Sequence, residues 1–168
     1  MSMQRSAPPV PTGTGLMMSP ALRPMQAALA EARAAALRGE VPVGAVITDP
    51  VTGKILAAAS NRTEADHDPT AHAEILAIRA VARMLASPRL TGLDLWVTLE
   101  PCAMCAQAIA FARIRRLYYG AADPKGGGVE HGARVFSHPT CHHRPEVFGG
   151  IAETEASQLL KIFFKSLR

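Results

Sequence analysis

The sequence predicts one α/β domain, a three-layer α-β-α sandwich around a mixed five-stranded sheet. Strand-like and helix-like segments alternate along the chain, which is typical of a sheet covered by helices on both faces. The first two strand-like segments are separated only by turn residues, so they form an antiparallel hairpin. Helices separate the later strands, which are therefore expected to run parallel. The 168 residues suffice to bury a core.

The first half of the chain supplies two helices and the hairpin. The first helix is predicted over residues 22–38, and the strands of the hairpin over 41–48 and 55–59, with Asp-Pro and Thr-Gly turn pairs between them. A second helix is predicted over 70–85 with Thr70 as its N-cap, and it is apolar over most of its surface. The first helix has apolar residues at helical spacing: Met25, Leu29, Ala32 and Ala36.

The middle of the chain repeats a strand–helix–strand pattern. Residues 93–99 form a β-rich run, and a helix is predicted over 102–113. Pro101 suits the start of that helix, where its missing N–H costs no hydrogen bond. Another strand is predicted over 116–120. These segments provide the parallel part of the sheet.

The two ends of the chain differ in character. Residues 1–20 are rich in Ser, Pro, Gly and Met and are predicted to form a flexible tail, which leaves 21–168 as the folded domain. After a glycine-rich loop over 123–128, a short last strand is predicted over 147–151 and a final helix over 153–167. That helix is expected to point four apolar residues inward: Ala156, Leu159, Leu160 and Phe163.

The composition restricts the cellular compartments and the binding partners that are expected for this chain. The net charge of +4 and the isoelectric point near 9.3 permit a nucleic-acid partner without requiring one. Three cysteines, an odd number with two close together, suit a reducing compartment better than a disulfide framework, so a cytoplasmic location is expected. No apolar run is long enough to cross a bilayer, so we expect no membrane association.

Two cysteines lie at the start of the third predicted helix. Cys102 and Cys105 are three residues apart, which places both sulfurs on one helix face, and the helix N-terminus favours the thiolate that zinc binds. The pair alone is equally consistent with a redox pair, with half of a structural zinc site, or with no ligand. A structural site needs a fourth ligand, for which the candidates are Cys141, His142 and His143.

A His-x-Glu sequence at the start of the second predicted helix favours a catalytic metal instead. His72 and Glu74 are two residues apart, so they point to different sides of a helix and converge only on a metal off its end. We expect His72, Cys102 and Cys105 to bind Zn²⁺ and Glu74 to move protons for a zinc-bound hydroxide.

Each of these residues also has an ordinary explanation. A lone histidine at a helix start is usually a capping or surface residue, and a lone glutamate there usually complements the helix dipole. What favours catalysis is the order of the motifs, His-x-Glu followed by Pro-Cys-x-x-Cys. This order is the signature of the zinc-dependent base deaminases.

At these residues the sequence resembles the bacterial tRNA-specific adenosine deaminases of the cytidine/deoxycytidylate deaminase superfamily. Those enzymes convert the wobble adenosine of a tRNA anticodon to inosine. The resemblance runs from about Met25 to the C-terminus and is strongest at residues 41–46, 68–75 and 97–105, with a looser match at 111–114. It implies a cytidine-deaminase-like fold, a zinc cofactor, the anticodon loop of tRNA as partner, and a homodimer whose active sites take residues from both subunits.

Further residues acquire expected roles from the resemblance. It implies that Asn61 hydrogen-bonds the flipped nucleoside; the alternative is that Asn61 is only a turn residue after the second strand. It also implies that Asp123 and Lys125 contact anticodon-loop RNA; the alternative is that they lie in a solvated loop. Phe164 and Lys165 belong to a basic and aromatic C-terminal stretch that could stack bases and bind phosphates. The alternative there is an ordinary amphipathic helix.

One segment departs from the resemblance. His142-His143 stands where some family members carry Asn-His, which puts the RNA contacts of that loop in doubt. Cys141 is extra to the expected zinc set and is interpreted as a thiol without a role in metal binding.

Two rival functions remain open from the sequence. A deaminase of free guanine, cytosine or another small base would carry the same core motif. A non-catalytic zinc-binding RNA module is the other rival, and Glu74 argues against it because a structural zinc site has no use for that residue.

Overall fold

The computed structural model describes residues 22–168, and the predicted tail over 1–20 lies outside them. Four helices, five strands and one short 3₁₀ segment make up the described chain. In order they are α1 Arg23–Leu37, β1 Gly44–Asp49, β2 Lys54–Ser60, α2 Ala73–Met84, β3 Asp94–Leu99, α3 Ala103–Phe111, β4 Arg116–Ala121, the 3₁₀ segment Val135–Ser137, β5 Glu146–Phe148 and α4 Glu153–Ser166.

The five strands form one mixed sheet in the order β2-β1-β3-β4-β5. β1 pairs antiparallel with both β2 and β3, whereas β3, β4 and β5 run parallel to one another. α1 and α4 pack on one face of the sheet, and α2 and α3 pack on the other. The predicted three-layer fold with its antiparallel first hairpin is confirmed.

The central strand β1 is buried on both faces. Ala45 and Ile47 pack into the core under α2 and α3, while Val46 packs into the core under α1 and α4. Helices cover both faces, which explains why this stretch of sequence is apolar without alternation. At Gly44 the strand passes so close to α1 that a Cβ would overlap the Ala28 carbonyl oxygen.

The start of the first strand differs from the prediction. The ladder begins at Gly44 rather than at residue 41, because Pro42 has no N–H to contribute and the Val43 N–H is turned back to the Val41 carbonyl at 2.8 Å. Residues 41–43 are therefore free to line a cavity instead of extending the sheet.

The prediction of Thr70 as an N-cap was wrong. α2 begins at Ala73 with His72 at the N-cap position, and Thr70 lies in the preceding turn. The Asp68 carboxylate holds that turn, since its Oδ1 accepts hydrogen bonds from both the backbone N–H and the hydroxyl of Thr70. A local turn stabilised in this way competes with the first helical turn.

The last strand is also shorter than predicted. β5 ends at Phe148, and the two glycines after it leave the ladder, with Gly150 at a positive φ of 79°. No helix within residues 22–168 combines the length and apolar character needed to cross a membrane.

Candidate active site

The three predicted metal ligands lie at the N-termini of α2 and α3. His72 and Cys102 occupy the two N-cap positions in extended conformation, and neither side chain caps its own helix. Cys105 follows in the first turn of α3. α2 follows β2 and α3 follows β3, and these strands share one direction, so the two helix N-termini meet at the same edge of the sheet. The predicted convergence off the helix ends is therefore present.

The spacing of the ligand atoms suits a tetrahedral metal. His72 Nδ1 lies 3.6 Å from Cys102 Sγ and 3.5 Å from Cys105 Sγ, and the three atoms lie within 4.8 Å of one another. In a tetrahedral zinc site the bonds are about 2.0 Å to nitrogen and about 2.3 Å to sulfur, with an angle of about 109° between them. The nitrogen and the sulfur are then about 3.5 Å apart. One nitrogen and two sulfurs at this separation fit zinc with a fourth position left open.

The protonation of the cluster also favours a cation. The hydrogen bond from Cys105, followed by one from His72, lowers the pKa of the Cys102 thiol to about 4. The same contact with Cys102, together with burial, raises the pKa of Cys105. Cys102 is therefore a thiolate at neutral pH, and the proton on Cys105 is one that a bound divalent cation displaces.

Glu74 lies beside the cluster rather than in it. It is in the first turn of α2, only 4% exposed, and lines the same cavity as His72 and Cys102. Burial raises the pKa of its carboxyl to about 7. Glu74 does not belong to the group of three potential metal ligands identified among the described residues. This is the arrangement expected of a group that handles protons next to a metal.

The alternative of a structural zinc site finds no support in the described part of the chain. Cys141, His142 and His143 are absent from the ligand cluster. The Cys141 thiol donates to the His143 carbonyl at 3.1 Å, and the His143 ring donates through Nε2 to the Ile114 carbonyl at 2.6 Å. These residues hold their own loop against the turn between α3 and β4, and the cluster of potential ligands in the described chain has three members.

Asn61 divides its side chain between the fold and the cavity. It follows β2, is buried, and its Oδ1 accepts a hydrogen bond of 2.9 Å from the Ala73 backbone N–H. The carboxamide oxygen is thus committed to the start of α2. The Nδ2 amide remains as the donor that Asn61 can present to a ligand in the cavity that it lines.

The cavity beside the cluster has a volume of about 270 Å³ and opens into a larger groove of about 810 Å³. Four residues line both spaces: Val41, Leu99, Asp123 and Gly126. The far wall of the groove comes from α4 and the residues after it, which contribute Leu160, Phe164, Leu167 and Arg168.

The predicted RNA-contacting residues lie along this groove. Lys125 and Phe164 line it directly, and Lys165 lines an adjoining depression that shares Phe164 with the groove. Asp123 lies at the junction of the cavity and the groove, but its Oδ1 is occupied, since it accepts the backbone N–H groups of Lys125 and Gly126. Asp123 thus shapes the loop at this junction.

Comparison with known proteins identifies the family. Residues 18–121 match the family model of the cytidine and deoxycytidylate deaminase zinc-binding region. A tRNA-specific adenosine deaminase of Agrobacterium fabrum is 57% identical over 86% of this chain and 93% of its own, and one of Rickettsia bellii is 47% identical over 86% of this chain and 99% of its own. The chain belongs to the tRNA-specific adenosine deaminase family. The resemblance stated from the sequence is confirmed.

Similarity to a solved structure supports this family assignment. It comes from a study of A-to-I editing by tRNA:A34 deaminases at the wobble position of transfer RNA, and it matches with a TM-score of 0.79 and 58% identity over 82% of this chain and 98% of that one. A guanine deaminase from Nitrosomonas europaea matches with a TM-score of 0.69 at 23% identity, over 83% of this chain and 82% of that one, which indicates a shared fold alone.

Sequence reasoning assigned no role to two buried acids of this deaminase. Glu40 is 1% exposed and accepts hydrogen bonds from the Thr63 hydroxyl and from the backbone N–H groups of Glu64 and Ala65. It thereby orders the segment that follows Asn61. Glu100, 2% exposed, lines the cavity one residue before Pro101.

The Glu100 carboxylate is held ionised by its donors. Burial by itself raises the pKa of Glu100, but hydrogen bonds from the Asp123 backbone, from His131 and from Glu130 outweigh it and hold the pKa below its usual value. The sequence does contain a signal for this role, because Glu100 directly follows an apolar predicted strand. An acidic residue in that position is buried only where hydrogen-bond donors surround it.

Proposed function

We propose that this protein hydrolyses adenosine to inosine at the wobble position of a tRNA anticodon, with Zn²⁺ bound by His72, Cys102 and Cys105. The observation that carries the proposal is the position of the ligand cluster. It lies with Glu74 in a cavity that opens into a groove whose far wall is aromatic and basic. The reaction replaces the carbon–nitrogen bond of the exocyclic amine with a carbon–oxygen bond from water, and ammonia leaves.

The donor set and its geometry support zinc as the cofactor. Two cysteine sulfurs and one imidazole nitrogen are ligands that zinc prefers, and three protein ligands leave one position for chemistry. When bound, zinc supplies the nucleophile at neutral pH by lowering the pKa of a water molecule.

Glu74 is proposed to carry the protons of the reaction. Its buried carboxyl lies in the cavity next to His72 and Cys102, within reach of a water and of a base in the same space. It accepts one proton of the attacking water and delivers it to the ring nitrogen, and it then accepts the second proton from the added hydroxyl and delivers it to the departing amine. Because the carboxyl ends each cycle as it began, no further proton carrier is needed.

The shape of the site supports a base presented from a single strand. The cavity of about 270 Å³ has room for a base turned out of its stack, while the adjoining groove accommodates flanking nucleotides. Asn61 is proposed to donate a hydrogen bond from Nδ2 to the inserted nucleoside. Asp123 is proposed to assist by holding the loop that forms the mouth of the cavity.

The outer part of the groove is proposed to hold the anticodon loop. Phe164 is 48% exposed although it is aromatic, and Lys165 is exposed beside it. An exposed ring offers a stacking surface to a base, and nearby cations attract phosphates. Lys125 adds a third basic or aromatic group on the opposite wall.

A homodimer is proposed from the exposed apolar ends of two helices. α2 and α3 run parallel on one face of the sheet, so their C-terminal ends lie on the same side of the molecule. Met84 and Leu85 at the end of α2 are about half exposed, and Phe111 at the end of α3 is 67% exposed. Apolar side chains grouped in this way are typical of a surface that a second subunit covers.

The cytoplasm is the proposed compartment. All three cysteines are free, and a thiolate zinc site requires reduced sulfur. A tRNA substrate is consistent with that location.

A comparison of substrates tests the proposed function. Zinc-loaded protein is incubated with an anticodon stem-loop carrying adenosine at the wobble position, with the same stem-loop carrying that adenosine one position away, and with free adenosine, guanine and cytosine. We expect ammonia from the first substrate alone. Turnover of free bases with an inert stem-loop supports the small-base rival, and bound zinc without ammonia from any substrate supports the non-catalytic rival.

A further inference from the structure

The buried carboxylate of Glu100 gathers donors from a separate segment of chain. Its Oε1 accepts backbone N–H groups of Val129, Glu130 and His131 at 3.3, 2.8 and 2.9 Å. Its Oε2 accepts the backbone N–H of Asp123 at 3.0 Å and the His131 ring Nδ1 at 2.7 Å. Glu100 therefore holds both ends of the segment 123–131.

This segment also contacts the turn that carries the first cysteine. The Gly128 N–H donates to the Pro101 carbonyl at 2.7 Å, immediately before Cys102. At Gly127 the backbone passes so close to Glu100 that a Cβ would lie 2.6 Å from its carboxyl carbon. The absence of a side chain at Gly127 thus allows the segment to close over the carboxylate.

The same segment forms part of the substrate space. Asp123 and Gly126 line both the cavity and the groove, and Lys125 lines the groove. Glu100 lies directly between this wall and the strand–helix turn that holds Cys102. The segment itself carries none of the three ligands, which lie at the starts of α2 and α3, so a shift of the segment would act first on the wall of the substrate space.

We propose that Glu100 is a positioning residue that locks the substrate-binding segment 123–131 in register with the metal-binding turn at Cys102. The expected effect of Glu100 on RNA binding rests on the proposed function. Glu100 itself is not proposed to touch the reacting atoms. A carboxylate suits the task because it only accepts hydrogen bonds, and five donors converge on its two oxygens. A glutamine retains one accepting oxygen and turns an NH₂ group toward donors that it repels.

The decisive variant is Glu100→Gln, assayed with the full chain loaded with zinc. We expect zinc content to be unchanged and KM for the wobble-adenosine stem-loop to rise about 10-fold or more, because the lost contacts are charge-assisted. We expect kcat to change by less than about 3-fold, since Glu74 and the ligands remain in place. His131→Ala removes one of the five contacts from a partly exposed side chain, and KM is expected to rise by a smaller factor.

Asp94→Asn is the matched control. Asp94 is a buried carboxylate at the opposite end of β3, where it forms a bidentate pair with Arg115 at 2.8 and 2.6 Å. Loss of the Asp94–Arg115 ion pair destabilises the same strand but removes no contact of segment 123–131. The KM of Asp94→Asn is therefore expected to stay within about 2-fold of wild type. An equal rise of KM in Asp94→Asn would overturn the proposal, because it would make the effect one of general stability.

Hydrogen exchange gives a readout that needs no substrate. In Glu100→Gln we expect faster exchange of the amides of Asp123, Val129, Glu130 and His131 relative to the rest of the sheet, and in Asp94→Asn we expect no such local change. Unchanged exchange in these amides, or a fall in kcat at constant KM, contradicts the positioning role. If wild-type protein leaves every stem-loop unchanged, the proposed function fails, while the exchange result still decides whether Glu100 fixes the segment.

Discussion

Asn61 carries out two tasks with the two polar atoms of one side chain. Its Oδ1 accepts the Ala73 N–H at the start of α2, and its Nδ2 is left for the cavity. The start of α2 also carries His72 and Glu74, so the atom that fixes the helix and the atom offered to substrate move together. We propose that substrate contact and metal position are coupled through this residue.

Asn61→Asp separates the two tasks. The variant keeps an oxygen for the Ala73 N–H and removes the donor that we assign to the nucleoside. We expect zinc content to be retained and kcat/KM for the wobble-adenosine stem-loop to fall by about 10- to 100-fold, as for loss of a substrate hydrogen bond. Steady-state kinetics and metal analysis measure both quantities.

Ser60→Ala is the control for that variant. Ser60 is the preceding buried polar residue, and its hydroxyl accepts a hydrogen bond from Arg38 away from the cavity. The kcat/KM of the Ser60→Ala variant is expected to stay near that of wild type. If Asn61→Asp behaves like Ser60→Ala, the substrate role of Asn61 is wrong.

At the residue scale, the sequence could predict side chains whose chemistry depends on local spacing. His72, Glu74, Cys102 and Cys105 follow from two short motifs. The role of Glu100 could not be predicted, because its partners lie 23 to 31 positions further along the chain and only the fold brings them together. The dual use of Asn61 likewise depends on a contact with a residue 12 positions away.

Among the elements, α4 is the least committed to the core. Ala156 and Phe163 are buried, whereas Lys161, Phe164 and Lys165 are exposed and line the groove or the depression beside it. A helix that turns an aromatic ring and basic groups toward a groove is suited to nucleic acid. We propose that α4 contributes more to RNA binding than to stability.

Lys165→Gln tests whether α4 binds RNA. Removal of one phosphate-binding charge is expected to weaken stem-loop binding several-fold at low salt and to reduce the slope of log K against log salt by about 1. Lys54→Gln, on the exposed start of β2, is the matched control and is expected to bind like wild type. Equal salt slopes in the two variants would show that α4 lies outside the RNA interface.

Elements were predicted well where periodicity decided them and less well at their ends. All four helices and five strands were expected from the apolar pattern and the turn residues. The start of α2 was displaced by the Asp68–Thr70 turn, and the start of β1 by Pro42. Both ends depend on a competition between local hydrogen bonds and the regular element, which apolar periodicity does not report.

At the scale of the whole molecule, the two ends of the α2–α3 layer differ in chemistry. The N-terminal ends of these helices carry the proposed metal ligands and Glu74, and the C-terminal ends expose Met84, Leu85 and Phe111. We propose that the first end faces substrate and the second faces a partner subunit.

Phe111→Asp is expected to break the proposed dimer. A buried charge at an apolar interface costs several kcal/mol, which outweighs the burial of one aromatic ring. Sedimentation velocity should therefore change from a dimer to a monomer. Val51→Asp, at an isolated apolar residue 92% exposed in the hairpin turn, should leave the dimer intact. A wild-type monomer, or a Phe111→Asp dimer, contradicts the proposed interface.

The most direct test of the account is inosine mapping in total tRNA after incubation with zinc-loaded wild-type protein and with Glu74→Gln. We expect inosine at the wobble position with wild type. The variant is expected to bind zinc equally and to form inosine at least about 100-fold more slowly, because the proton carrier is lost. Inosine formation that survives Glu74→Gln would contradict the mechanism, and its absence with zinc-loaded wild type would contradict the proposed substrate.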